Sequence, residues 1–264
     1  MTSLRSCLHL LLIACLLAML AMLGGCASST PRMAEVRAFA ADAPKLNAYH
    51  DLTERYRGSY QRQQPFLAPD ADARERVLDA SRQQASADFR RIDDVVQAYM
   101  QALGALAGDR QYDLRDSIKV VGTGIKAWPD SGLEDRHVNA FTGLTRVLAR
   151  TITAPMQERA VNQLLRDARE PVQQLLDAMR KLLRLYDRSN DNEQKIVLGM
   201  LETEIPFLDP GRDRLLIALS KSLEQEKKAE YRLIGLRHTL ARTNLEAIEQ
   251  RHRQLVDSLP PAQQ

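Results

Sequence analysis

Little in this chain of 264 residues braces a fold from outside its core. It has three cysteines, Cys7, Cys15 and Cys26, and none follows position 26. The rest of the chain therefore cannot use disulfides or cysteine-ligated metals, and its stability must come from an apolar core. Aromatic residues make up 5% of the sequence, with a single tryptophan. Strand-favouring residues are sparse while Ala, Leu, Arg, Gln and Glu dominate, which argues against a sheet and for helices. Charge of one sign is also lacking. Arg5 is the only charged side chain before Cys26, so 36 of the 37 basic groups and all 34 acidic groups lie beyond it. Such near-neutrality excludes a dedicated nucleic-acid binder, which would concentrate positive charge on one face. No helical-repeat period of about 34 or 40 residues emerges.

One long apolar run is present. Leu8 to Leu23 spans 16 residues broken only by His9 and Cys15, preceded by Arg5 and followed by Gly24 and Gly25. It is shorter than the roughly 20 residues of a spanning helix, and its order of charge, apolar run and small residues is that of a secretory signal. The stretch Leu23-Gly24-Gly25-Cys26 resembles the lipobox of bacterial lipoproteins. That resemblance implies cleavage after Gly25 and acylation of Cys26 by a diacylglyceryl group, often with a third, amide-linked chain. More than one chain is what stable anchoring takes. Ala27 stands where an Asp would imply retention in the inner membrane, so the implied location is the outer membrane, facing the periplasm.

The expected organisation is a signal peptide over 1–25, a lipidated tether over 26–43, a helical domain over 44–259 and a disordered tail over 260–264. A tether of that length reaches about 20–25 Å as a flexible coil, less if 33–41 is helical. Leu46, Tyr49, Thr53, Tyr56 and Tyr60 step by three and four, which predicts a first helix ending near Gln63. Asp70 is expected to cap a long helix to about Leu106, with its many arginines, Arg82 among them, on a solvated face. A helix over 114–128 is expected, although Val120, Val121 and the following glycines also read as strand-like. Two further helices should carry Val138 to Ile152 and Val161 to Tyr186, with a kink or break at Pro171. Ser189-Asn190-Asp191 reads as a turn before a short helix to Ile205. One helix of nearly 50 residues then runs from Arg212 to Leu259, with Leu233, Leu236, Leu240, Ala247, Ile248 and Leu255 as an apolar patch and Glu224–Lys228 polar all round. The fold class is all-α, an elongated bundle of long antiparallel helices.

Catalytic patterns are wanting. His50, His137, His238 and His252 make no paired metal-binding motif. His50 with Glu54, one turn apart, is half a site, and the histidines are read as exposed side chains. Asp93 and Asp94 are adjacent and so expected to splay to different helix faces. Gly122-Thr123-Gly124 fails the phosphate-loop pattern. No cofactor or metal is implied. The most suggestive patch is Tyr49, Arg55, Tyr56 and Tyr60, where interleaved tyrosine and arginine suit a ligand or partner; the competing expectation is core tyrosines with solvated arginines. The functional expectation is a non-enzymatic interaction or scaffold module of the cell envelope, held to the membrane through Cys26 and joined to an envelope protein. The alternative is a periplasmic ligand-binding or sensory bundle with a pocket lined by Tyr49, Tyr56, Tyr60 or Trp128. An envelope enzyme would require the four histidines to converge.

Overall fold

A computed structural model describes residues 31–109, 124–151 and 157–261. Cys26, the apolar run before it and residues 110–123 lie outside the described residues. The architecture is an all-α bundle of helices α1 (Pro31–Ala40), α2 (Asn47–Arg57), α3 (Ser59–Gln63), α4 (Pro69–Leu106), α5 (Asp135–Thr151), α6 (Glu158–Glu204) and α7 (Arg214–Asp257). No strand forms among the described residues; one isolated bridge joins Trp128 to Leu133.

The long hairpin of α6 and α7 is the frame. The two helices have 47 and 44 residues, roughly 70 and 65 Å. Glu193 meets Tyr231, Arg180 meets Glu249 and Arg169 meets Asp257. As numbers fall along α6 they rise along α7, so the helices are antiparallel. One large apolar cluster runs through the bundle, and a smaller one of Val197, Leu198, Leu201 and Tyr231 sits near the hairpin tip.

The stretch expected as tether folds from Pro31 onward. Val36, Phe39 and Ala40 of α1 are buried, and Arg32 donates to Asn162 and to the carbonyls of Leu255 and Ser258. Three apolar residues and a guanidinium with three acceptors outweigh the short, Ala-rich sequence. Helix α4 starts one residue before Asp70, with Pro69 in its first turn and Ala68 in the capping position, where proline's missing N–H costs nothing.

The turn expected at Ser189–Asp191 is absent, since α6 runs straight through it. Asn190 is buried and takes a hydrogen bond from Arg55, and Glu193 is buried beside it. Tertiary partners thus override the turn preference of the local sequence. The helix also passes Pro171 without interruption. Gly143 of α5 faces that proline, and a Cβ there would lie 3.5 Å from its ring. The helix expected over 114–128 is not helical in its described part, 124–128, where the chain instead bends at Pro129–Gly132.

The register of α7 also departs from expectation. Its buried face is Ile234, His238, Ala241, Leu245, Ile248, His252 and Leu255, while Leu233, Leu236 and Leu240 are more than half exposed. The charged stretch Glu224–Lys228 does not break the helix; Lys228 pairs with Glu224 and with Glu202 of α6.

Candidate functional site

The aromatic residues of α2 meet α4 and α6. Tyr56 lies 4.9 Å from Tyr186 between ring centroids, and Phe89 packs at 6.3 and 6.4 Å from the two. Two of these rings, Tyr56 and Phe89, line a cleft of about 360 Å³ together with Ala85, Trp128 and Leu185. Trp128 is held there by Asp88, a buried carboxylate that accepts from the indole Nε1 at 2.9 Å, the Lys126 amide at 3.2 Å and Arg91 at 2.6 Å. A volume of that order suits a small-molecule site.

Two buried polar groups at the cleft carry unused hydrogen-bonding capacity. Arg82 lies over the Tyr56 ring, 5.3 Å from its centroid, and donates to Glu75 at 2.7 Å and Asp79 at 3.2 Å. Its Nε is buried and has no hydrogen-bond partner, and neither has the buried Oε1 of Gln63. Arg82 was expected on a solvated face; two carboxylates and an aromatic face make its burial tolerable. Burial raises the Tyr56 phenol above its ordinary pKa, with the Arg82 guanidinium pulling the other way. Tyr56 therefore stays a neutral hydroxyl at physiological pH.

The sequence patch divides. Tyr49 is fully buried in the core and does not reach the cleft. Tyr56 lines it. Tyr60 donates its hydroxyl to Asp72 at 2.8 Å. Arg55 is not solvated either: it donates to Glu193 at 3.1 Å, Glu230 at 2.8 Å and Asn190 at 3.3 Å, and lies over the Tyr231 ring. Arg62 reaches the same Glu193 at 2.9 Å. The interleaved pattern thus reports a core of tyrosines and a buried ion cluster around Glu193. Gln63, Arg82 and Asp88 were not legible as site residues, because an isolated Gln, Arg or Asp in a polar helix gives no signal of burial.

Three of the four histidines are not surface groups. His137, His238 and His252 are buried, facing Asp177, Asp187 and Tyr99 respectively, and burial lowers all three below the ordinary imidazole range. His50 is partly exposed and faces Asp93. Each has its own partner, so the convergence an enzyme would require is not seen among them. Asp93 and Asp94, expected to splay, both bring an oxygen near His50, with all three donor atoms within 4.8 Å of one another.

The second notable surface lies on the solvent side of α7. Leu215, Leu219, Leu233, Leu236 and Leu240 are each more than half exposed. Positions 215, 219, 222, 226, 229, 233, 236 and 240 alternate steps of four and three. This is heptad-like spacing, apolar at both ends and interrupted by Ser222 and Glu226. Arg232 and Arg237 flank it, and Arg237 also faces Asp51 of α2 at 3.7 Å. No helix among the described residues is long and apolar enough to cross a membrane. No family model, curated protein or solved structure matches the chain.

Proposed function

We propose that the chain is an outer-membrane-anchored lipoprotein of the bacterial cell envelope whose helical bundle acts as a non-enzymatic interaction module. The observation that carries this reading is the outward leucine seam of α7. Five leucines in heptad register, in two exposed patches on the outer side of a helix already packed along its inner side, suit a partner, because exposed apolar patches mark interaction sites. The partner that fits is an amphipathic helix with acidic flanks, opposite Arg232 and Arg237. A second copy of this chain would set arginine against arginine.

The anchor supports the same reading. Four residues, 27–30, separate Cys26 from α1, so α1 begins within about 18 Å of Cys26. Arg32 ties α1 to the end of the hairpin where α6 begins and α7 finishes. The tip bearing the exposed Phe207, Leu215 and Leu216 is at the other end, some 60 Å away. The test is a photo-crosslinker at position 236 in intact cells, with Cys26→Ser as the mislocalised control. A discrete envelope protein captured by the parent and lost with Leu233→Glu supports the reading. A chain that captures nothing, or only itself, removes it.

A second reading rests on the cleft. The unpartnered Nε of Arg82 and Oε1 of Gln63 beside Tyr56 and Trp128 suit a small ligand with both a hydrogen-bond acceptor and a donor. The nearby carboxylates of Glu75 and Asp79 already offset the guanidinium, which favours a neutral ligand. Co-purification of such a molecule with the parent and not with Trp128→Ala decides for this reading.

A further inference from the structure

We propose that His50, Asp93 and Asp94 form a binding site for a divalent transition-metal ion of the zinc class. The proposal stands apart from the interaction reading. His50 belongs to α2, and the two aspartates occupy successive positions of α4. Nδ1 of His50 lies 3.4 Å from Oδ2 of Asp93. That is long for a hydrogen bond, and it is close to the edge of a tetrahedron with arms of about 2.0–2.1 Å, roughly 3.4 Å. The donor atoms of all three side chains lie within 4.8 Å of one another. Asp94 is half-buried.

Burial supplies the independent argument. The Asp93 side chain is fully buried, its Oδ2 accepts from Gln97 at 3.0 Å, and its Oδ1 has no hydrogen-bond partner. An unpaired buried carboxylate oxygen is costly. One turn beyond His50, Oε1 of Glu54 is likewise buried without a hydrogen bond and faces Arg90 at 3.4 Å. Arg90 and Arg91 also act on Asp94, whereas the buried Asp93 faces, among the described residues, only the His50 imidazole and the Gln97 amide, so a cation between the aspartates would act chiefly on Asp93. An imidazole with two carboxylates favours zinc or a neighbouring transition ion over calcium or magnesium, which take all-oxygen shells. His50 is 41% exposed, so water reaches the fourth position. The Gln97 bond to Asp93 is the kind of outer contact that orients a ligating carboxylate.

The experiment uses the full chain in detergent with Cys7, Cys15 and Cys26 replaced by serine, so that no thiol competes. Zn²⁺ is titrated calorimetrically and Co²⁺ is followed by its visible absorption. The expected result is one ion per chain with a tetrahedral Co²⁺ spectrum, and an affinity lowered roughly 100-fold by His50→Ala. Circular dichroism checks that the variant keeps its helices. If it does not, Asp94→Asn decides, since its half-buried carboxylate is dispensable to the core; about tenfold weaker binding is expected. No binding by the parent, or unchanged affinity in the folded variant, overturns the site.

Discussion

The hydroxyl of Tyr99 lies 3.0 Å from Nε2 of His252, with both side chains wholly buried between α4 and α7. Phe39 of α1 packs on the imidazole at 6.0 Å. Burial pushes the His252 pKa down to about 4, and Arg169 of α6 adds to the shift. The ring is therefore neutral in the folded chain at any pH above that value.

The unfolded imidazole titrates near 6.5, so the unfolded chain binds the extra proton first. The contribution of His252 is complete above about pH 6.5 and is lost as pH falls from there towards 4. Its size is about 3 kcal/mol. His137 and His238 shift in the same direction, while the raised His50, Asp93 and Asp94 act with the opposite sign, so the His252 contribution is read as a difference between parent and variant. Urea denaturation at stepped pH checks this. The double variant Tyr99→Phe, His252→Phe, which leaves no orphaned partner, should show a visibly shallower slope than the parent.

Glu193 should be the most sensitive charged position. It is 1% exposed and receives Arg55, Arg62 and the Tyr231 hydroxyl. Glu193→Ala leaves two guanidinium groups facing each other in a half-buried space, and a loss of about 3 kcal/mol is expected. Glu193→Gln keeps an acceptor and should lose less. Chemical denaturation at neutral pH gives both values.

Gly235 and Gly199 lie inside α7 and α6, and a Cβ at either position would meet nothing within 4 Å. Alanine there relieves the conformational penalty of glycine without a clash. Each replacement should stabilise the chain by about 1 kcal/mol, seen as a melting temperature raised by a few degrees. A fall in melting temperature would mean that close packing at the helix surface had been missed.

The long elements were legible because apolar spacing over several turns is insensitive to single residues. Helix α4 runs to the expected Leu106 and starts within one residue of the expected Asp70. What failed was local chemistry overruled from a distance. Asn190 and Asp191 look like a turn, yet Arg55 from another helix fixes Asn190 in place. The cleft was half legible: Tyr56 and Trp128 were named as pocket residues, whereas Arg82 and Gln63 look like solvated residues until two other helices bury them. In α7 both faces are apolar, and periodicity cannot say which of two stripes turns inward.

That ambiguity yields the sharpest contrast. Leu236 is 61% exposed and Leu245 is 1% exposed on the same helix. Truncating Leu245 to alanine removes core contacts and should cost about 2–5 kcal/mol, whereas Leu236→Ala should change stability by no more than about 0.5 kcal/mol. The functional outcome should be the reverse. Leu245→Ala, expressed at a temperature where it stays folded, should keep the crosslinked partner, because the outer seam is untouched. Leu233→Ala with Leu240→Ala, carrying the same crosslinker at position 236, should lose that partner while melting with the parent. If the outer pair proves destabilising instead, the seam is packed against part of this chain itself, and the docking face must lie elsewhere on the bundle.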